Sequence, residues 1–182
     1  MKFADVDIAT LDGQARAIWG LVERDTGDPR LRGVLATLYR RAALPARDLP
    51  ALAAAVQGLV QTHIKYLREY PETYASPLRT LKWGVGDCDD QAAVVCALLR
   101  SARVPCRLVF CGRDDGTGPL EPQHVFAEAE IRPGEWCALE TVKRVPPGWS
   151  AVDHWRSTGK RAGRWSYGDR AGTVGEPAVA AR

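Results

Sequence analysis

The sequence predicts an α+β domain with an N-terminal helical subdomain, a buried helix that begins at a cysteine, and a small antiparallel sheet. Three observations carry this. Apolar residues recur at helical spacing through the first third of the chain. An almost wholly apolar stretch runs from Cys88 to Ala102. Three strand-like runs follow it, the last two separated by the turn pair Pro133-Gly134. With 182 residues, 46% of them hydrophobic and 26% charged, the chain can bury one core and has a globular composition.

Each element has its own reason. Leu11, Ala15, Ile18, Trp19 and Val22 share one helical face. Asp28 followed by Pro29 reads as an N-cap and a first-turn proline, opening a helix with the stripe Leu31, Val34, Leu35 and Leu38. Asp48 can cap a third helix, whose stripe runs Leu52, Ala55, Val56, Leu59, Val60, Ile64 and Leu67. His63 lies beside that stripe and reads as a boundary histidine. Tyr70 to Gly86, with Pro71, Pro77, Gly84 and Gly86, reads as irregular. The helix from Cys88 is apolar on most faces and therefore expected to be buried.

Cys106 to Cys111 is a short apolar strand candidate, followed by a loop from Asp114 to Pro122. Gln123 to Ile131 alternates, with His124, Phe126, Glu128 and Glu130 on one face. Glu135 to Thr141 completes a hairpin around Pro133-Gly134. The expected organisation is a domain over 1–145, with a helical subdomain over 1–70 and a core over 71–145. A basic, Trp-containing tail over 146–182 follows, with room to be flexible. From Arg156 onward the chain carries a net charge of +4, which leaves −1 for everything before it.

Several classes are excluded. A net charge of +3 does not demand a polyanion, and a basic tail without a motif does not read as a nucleic-acid module. No apolar run approaches the roughly 18 residues of a membrane span, and the N-terminus shows no signal-peptide pattern. The five cysteines, at 88, 96, 106, 111 and 137, are odd in number and scattered, which fits a reducing, cytoplasmic compartment better than a disulfide framework. No zinc-ligand spacing is present, and Asp87, Asp89 and Asp90 lack the EF-hand pattern, so neither a metal nor a cofactor is expected.

The chemistry gathers at Gly84-Val85-Gly86-Asp87-Cys88-Asp89-Asp90. A cysteine at the start of a buried helix meets the positive end of the helix dipole and free N–H groups, which favour a thiolate and can hold an oxyanion. The neighbouring aspartates oppose the thiolate, so a histidine must supply the activation. His124 is the best base, and Glu140 on the following strand can orient it, completing a nucleophile, base and acid set. Trp83 is placed to wall the cleft and touch substrate.

These residues resemble a known family. GVGDCDDQAAVVCALLRSARVPCRLVF is similar to the cysteine–helix–strand block of the transglutaminase-like superfamily, whose core is papain-like; HVFAEAEI resembles its histidine strand and EWCALETV its acid strand. IKYLREYPETYASPLRTLKWGVGDCDD resembles short members encoded by phages and prophages. The resemblance spans about Ile64 to Val142. It implies catalytic roles for Cys88, His124 and Glu140, with Glu140 standing where the family usually has Asp. It further implies acyl transfer on a protein or peptide substrate through a thioester, hydrolysis before transamidation. Phage virion or assembly proteins are the implied partners, with a virion-associated location if the chain is phage-encoded. A catalytically idle assembly protein on the same fold is the competing reading.

One register argument bears on the acid. A plain two-residue turn at Pro133-Gly134 would pair Ala127 with Glu140 and turn Glu140 away from His124. A working set therefore needs one extra residue, a bulge, in this hairpin.

Overall fold

The computed structural model describes residues 8–68, 73–114, 116 and 120–169. The first seven residues, the start of the irregular segment at Tyr70 and Pro71, much of the expected 114–122 loop, and the tail from Arg170, with Glu176 and Arg182, lie outside the described residues.

Local rules set the helical subdomain. Helix α1 (Leu11–Thr26) starts where Thr10 accepts from the Gly13 N–H; α2 (Pro29–Arg41) starts where Asp28 accepts from Arg30; α3 (Leu49–His63) starts where Asp48 accepts from Ala51. The short strand β1 (Lys65–Tyr66) pairs in parallel with β2 (Val85–Gly86). Between them lies a helix where the sequence pattern suggests irregular chain, α4 (Pro77–Trp83). Ser76 caps it by accepting from Arg79, and Pro77 occupies its first turn, the signature also read at Asp28-Pro29.

Helix α5 (Cys88–Ser101) is the centre of the molecule. Every residue from Asp89 to Leu99 is buried, with Leu98 and Leu99 at 0% exposure. Truncating either leucine to alanine should cost about 2–5 kcal/mol. Helices α1 and α3 pack on it from one side. A four-stranded antiparallel sheet of order β5-β4-β3-β6 packs on the other, built from β3 (Cys106–Arg113), β4 (Glu121–Arg132), β5 (Glu135–Leu139) and β6 (Ala162–Gly168). The inner face contributes Leu108, Phe110, Val125, Ala127, Ala129 and Leu139. The outer face, with Val109, Cys111, Phe126 and Ala138, is covered by α6 (Ala151–Ser157) and the neighbouring Trp149 and Trp155.

Two elements correct the picture of a free tail from residue 146. Ser150 caps α6, and β6 pairs with β3 from Ala162 opposite Arg113 to Gly168 opposite Arg107. The alternation Ala162, Arg164, Ser166 against Gly163, Trp165, Tyr167 is strand-like, and composition masked it. Trp165 stacks on Tyr167 and meets Phe110 edge-on, tying β6 to the inner core. On the outer face Glu128, 3% exposed, accepts from both Arg107 and Arg164 across three strands. Among the described residues no helix is long and apolar enough to cross a membrane.

Two bulges shape β4. Ile131 is extra between the pairs Glu130–Trp136 and Arg132–Glu135. Gln123 is extra between Cys111–His124 and Gly112–Pro122. The second needs a glycine, because a Cβ on Gly112 would sit 1.7 Å from the Glu121 carbonyl oxygen. Gly112→Ala should therefore destabilise the fold by about 1–3 kcal/mol, as overpacking does. Urea unfolding of the two proteins measures this as a lower midpoint.

Candidate functional site

Cys88 is the first residue of α5 because the parallel β1–β2 pair delivers the chain there. The Leu67 N–H donates to the Gly86 carbonyl, fixing the approach. Gly86 lets strand and helix close up, since a Cβ there would lie 2.8 Å from the Asp90 Cβ. Asp87 is the helix N-cap, yet its side chain makes no capping bond. It turns instead towards Asp89 and Asp90, and oxygens of the three carboxylates lie within 4.8 Å of one another, all buried. Asp90 also holds the segment before α4, accepting from the Ala75 N–H at 2.8 Å.

Such a cluster cannot keep three full charges out of water. Burial first, then the neighbouring Asp87 and Asp90 carboxylates, push the Asp89 carboxyl up to about 10. The Cys88 thiol is pushed up to about 12, by burial first and the negative charge of Asp89 and Asp87 next; the backbone N–H groups of Val125 and Asp89 work the other way. The sulfur thus rests as a thiol.

An imidazole reaches the same cleft from the sheet. His124 Nε2 is 2.6 Å from Glu140 Oε2. A carboxylate only accepts, so Nε2 donates in this contact and Nδ1 is the ring nitrogen left for another partner. The register that places Ala127 opposite Leu139, one step displaced by the Ile131 bulge, brings Glu140 level with Phe126 and onto the side of His124. Phe126 lies parallel to the imidazole at 6.2 Å.

Glu140 is itself held on all sides at 1% exposure. Its Oε1 accepts from the Val142 N–H at 2.9 Å. Its carbonyl accepts from Gln57 at 2.7 Å and Gln61 at 2.9 Å, one turn apart on α3, and both amides also reach the Val145 carbonyl. Sequence reasoning missed these two glutamines. Polar residues at i and i+4 on an otherwise apolar stripe were the available signal.

Cys88 and His124 line one cleft of about 440 Å³, together with Gln14, Tyr66, Arg68, Tyr74 and Gln123. Trp83 is not among its lining residues. It ends α4 half-exposed at 53%, with the Arg79 guanidinium 3.9 Å over its ring, and the aromatic wall comes from Tyr66 and Tyr74 instead. His63 is exposed at the end of α3, and His154 packs beside Trp149. Cys96, Cys106 and Cys111 are fully buried, while Cys137, like Cys88, is partly exposed.

Residues 36–141 match the family model of the transglutaminase-like superfamily. Among solved structures, the chain is similar to a candidate protease from Parabacteroides distasonis, with a TM-score of 0.56 at 9% identity over 91% of this chain and 31% of that one. A candidate cysteine protease from Cytophaga hutchinsonii aligns with 96% of this chain and 60% of its own, at 18% identity and a TM-score of 0.48. The chain therefore spans under two thirds of either structure. Among curated proteins none matches.

Two measurements check this geometry. The raised Asp89 pKa means that its contribution to stability is present in acid and is lost as pH rises from about 4 towards 10. Asp89→Asn should therefore raise the thermal midpoint at pH 8 and flatten its fall with pH. Gln57→Ala strips buried carbonyls of a donor and should cost about 1–3 kcal/mol in denaturant unfolding.

Proposed function

The chain belongs to the transglutaminase-like superfamily, and from that premise we propose that it is a cysteine-dependent acyl-transfer enzyme, a peptidase or amidase, with Cys88 as nucleophile, His124 as base and Glu140 as the residue that orients His124. The observation that carries the reading is the 2.6 Å contact between His124 and a buried Glu140, beside a cleft that also receives a cysteine at a helix N-terminus.

The chemistry follows from the tautomer. As Cys88 Sγ attacks the amide carbon, its proton passes to His124 Nδ1. The new S–C bond and the oxyanion form together. Backbone N–H groups at the start of α5 stabilise that oxyanion. Glu140 stabilises the imidazolium and keeps the ring in place. The C–N bond then breaks, and the proton on Nδ1 goes to the leaving amine. Water, deprotonated by Nδ1, attacks the thioester and releases the acid and the free thiol. An amine in place of water gives transamidation by the same steps. Hydrolysis is preferred because the resemblance points to short peptidase-like members. A protein or peptide is the proposed substrate, with phage virion or assembly proteins as the partner class, and the free thiols fit a reducing, cytoplasmic setting.

The competing reading, an idle fold, is favoured by one observation, the thiol held up at about 12. Reactivity separates the two. Limiting iodoacetamide at pH 7 should label Cys88 before the four other cysteines. His124→Ala should slow that labelling, and in that variant the rate should keep climbing beyond pH 9, because burial and Asp89 leave the thiolate scarce below the raised pKa. Glu140→Gln should lower labelling and turnover while the fold persists. A Cys88 inert until denaturation would mean that the thiol is structural.

A further inference from the structure

A second depression, of about 260 Å³, adjoins the cleft. It is lined by Gly112, Arg113, Gln123, Trp155, Lys160 and Arg161. Gln123, the bulged residue before His124, lines both, so one extended ligand can occupy both. Half of the lining residues are cations and none is an acid. Among the described residues no carboxylate forms an ion pair with Arg113, Lys160 or Arg161. Glu121 stands opposite Arg113 in the strand register, and no ion pair joins them. The Asp114 side chain is engaged elsewhere, accepting from the Gly116 N–H and lying against Gly163.

The acids nearest the reacting end of the cleft are withdrawn from solvent, whereas Glu121 is exposed and Asp114 partly so. Asp87, Asp89 and Glu140 are 4%, 3% and 1% exposed. The cleft's other end presents Arg68, exposed and without a carboxylate partner among the described residues. Three cations lining one depression with no ion pair among the described residues create a positive local potential that an anionic ligand relieves.

Resting on the acyl-transfer reading, we propose that this depression is a substrate subsite and that the enzyme acts on peptides carrying acidic side chains beside the attacked amide. Arg113, Lys160 and Arg161 receive those side chains, Gln123 bonds the intervening backbone, and Arg68 extends the preference to the other end. The Gln123 bulge and the pairing of β6 with β3 bring Gln123, Arg113, Lys160 and Arg161 together.

Hexaglutamate and hexaglutamine are the probes. At low ionic strength hexaglutamate should bind in calorimetry and slow iodoacetamide labelling of Cys88 by about five-fold or more, with both effects fading at high salt. Hexaglutamine should do neither. The double variant Lys160→Gln/Arg161→Gln should lose binding and protection while its circular dichroism stays that of the parent. Arg132→Gln, on the far hairpin, removes a charge and should change nothing. Equal effects of the two peptides, undiminished binding by the double variant, or tighter binding of a thymidine hexanucleotide would overturn the proposal. If Cys88 does not react at all, the nucleophile assignment fails, and calorimetry still decides the subsite.

Discussion

A carboxylate at 1% exposure survives only if its lone pairs are used, and Glu140 has few donors within reach. One is the Val142 N–H and the other is the imidazole of His124. This contact depends on strand parity. Side chains alternate faces along β5, so the single unpaired residue at Ile131 decides whether the carboxylate meets the histidine or the opposite side of the sheet. The two β4 bulges flank His124 and its partner segment, and the rest of the site is arranged around the ring they orient.

The second constraint is charge. A thiol at the start of a buried helix gains from the dipole, yet this one sits among three aspartates. The conflict is softened because burial pushes the Asp89 carboxyl towards its neutral form, which reduces the charge turned towards the sulfur. What remains still holds the thiol protonated at rest.

Much of this was legible in the amino-acid order. Asp28 and Asp48 announced their helices because an N-cap is a local event, and the all-round apolar pattern after Cys88 announced its own burial. The need for a bulge followed from counting residues in one hairpin, although its position at Ile131 did not. Three things were hidden for identifiable reasons. Helix α4 spans only seven residues, too short for periodicity to register. Strand β6 is masked by arginines and glycines, and its partner is some fifty residues away in sequence. Gln57 and Gln61 act on backbone carbonyls about eighty positions away, a contact that no spacing rule reaches. Trp83 shows the reverse error: a large aromatic beside the motif suggested a wall, but the turn of α4 directs it to Arg79 and solvent.

The two glutamines tie the segment after Glu140 to the last turns of α3, next to a helix end that carries an exposed histidine. Helix ends fray before cores melt. Warming should therefore loosen this anchorage while α5 and the sheet are still intact, letting the acid drift from the imidazole. Loss of the His124–Glu140 contact would then precede unfolding and reverse on cooling, its temperature written in a helix that does not line the cleft.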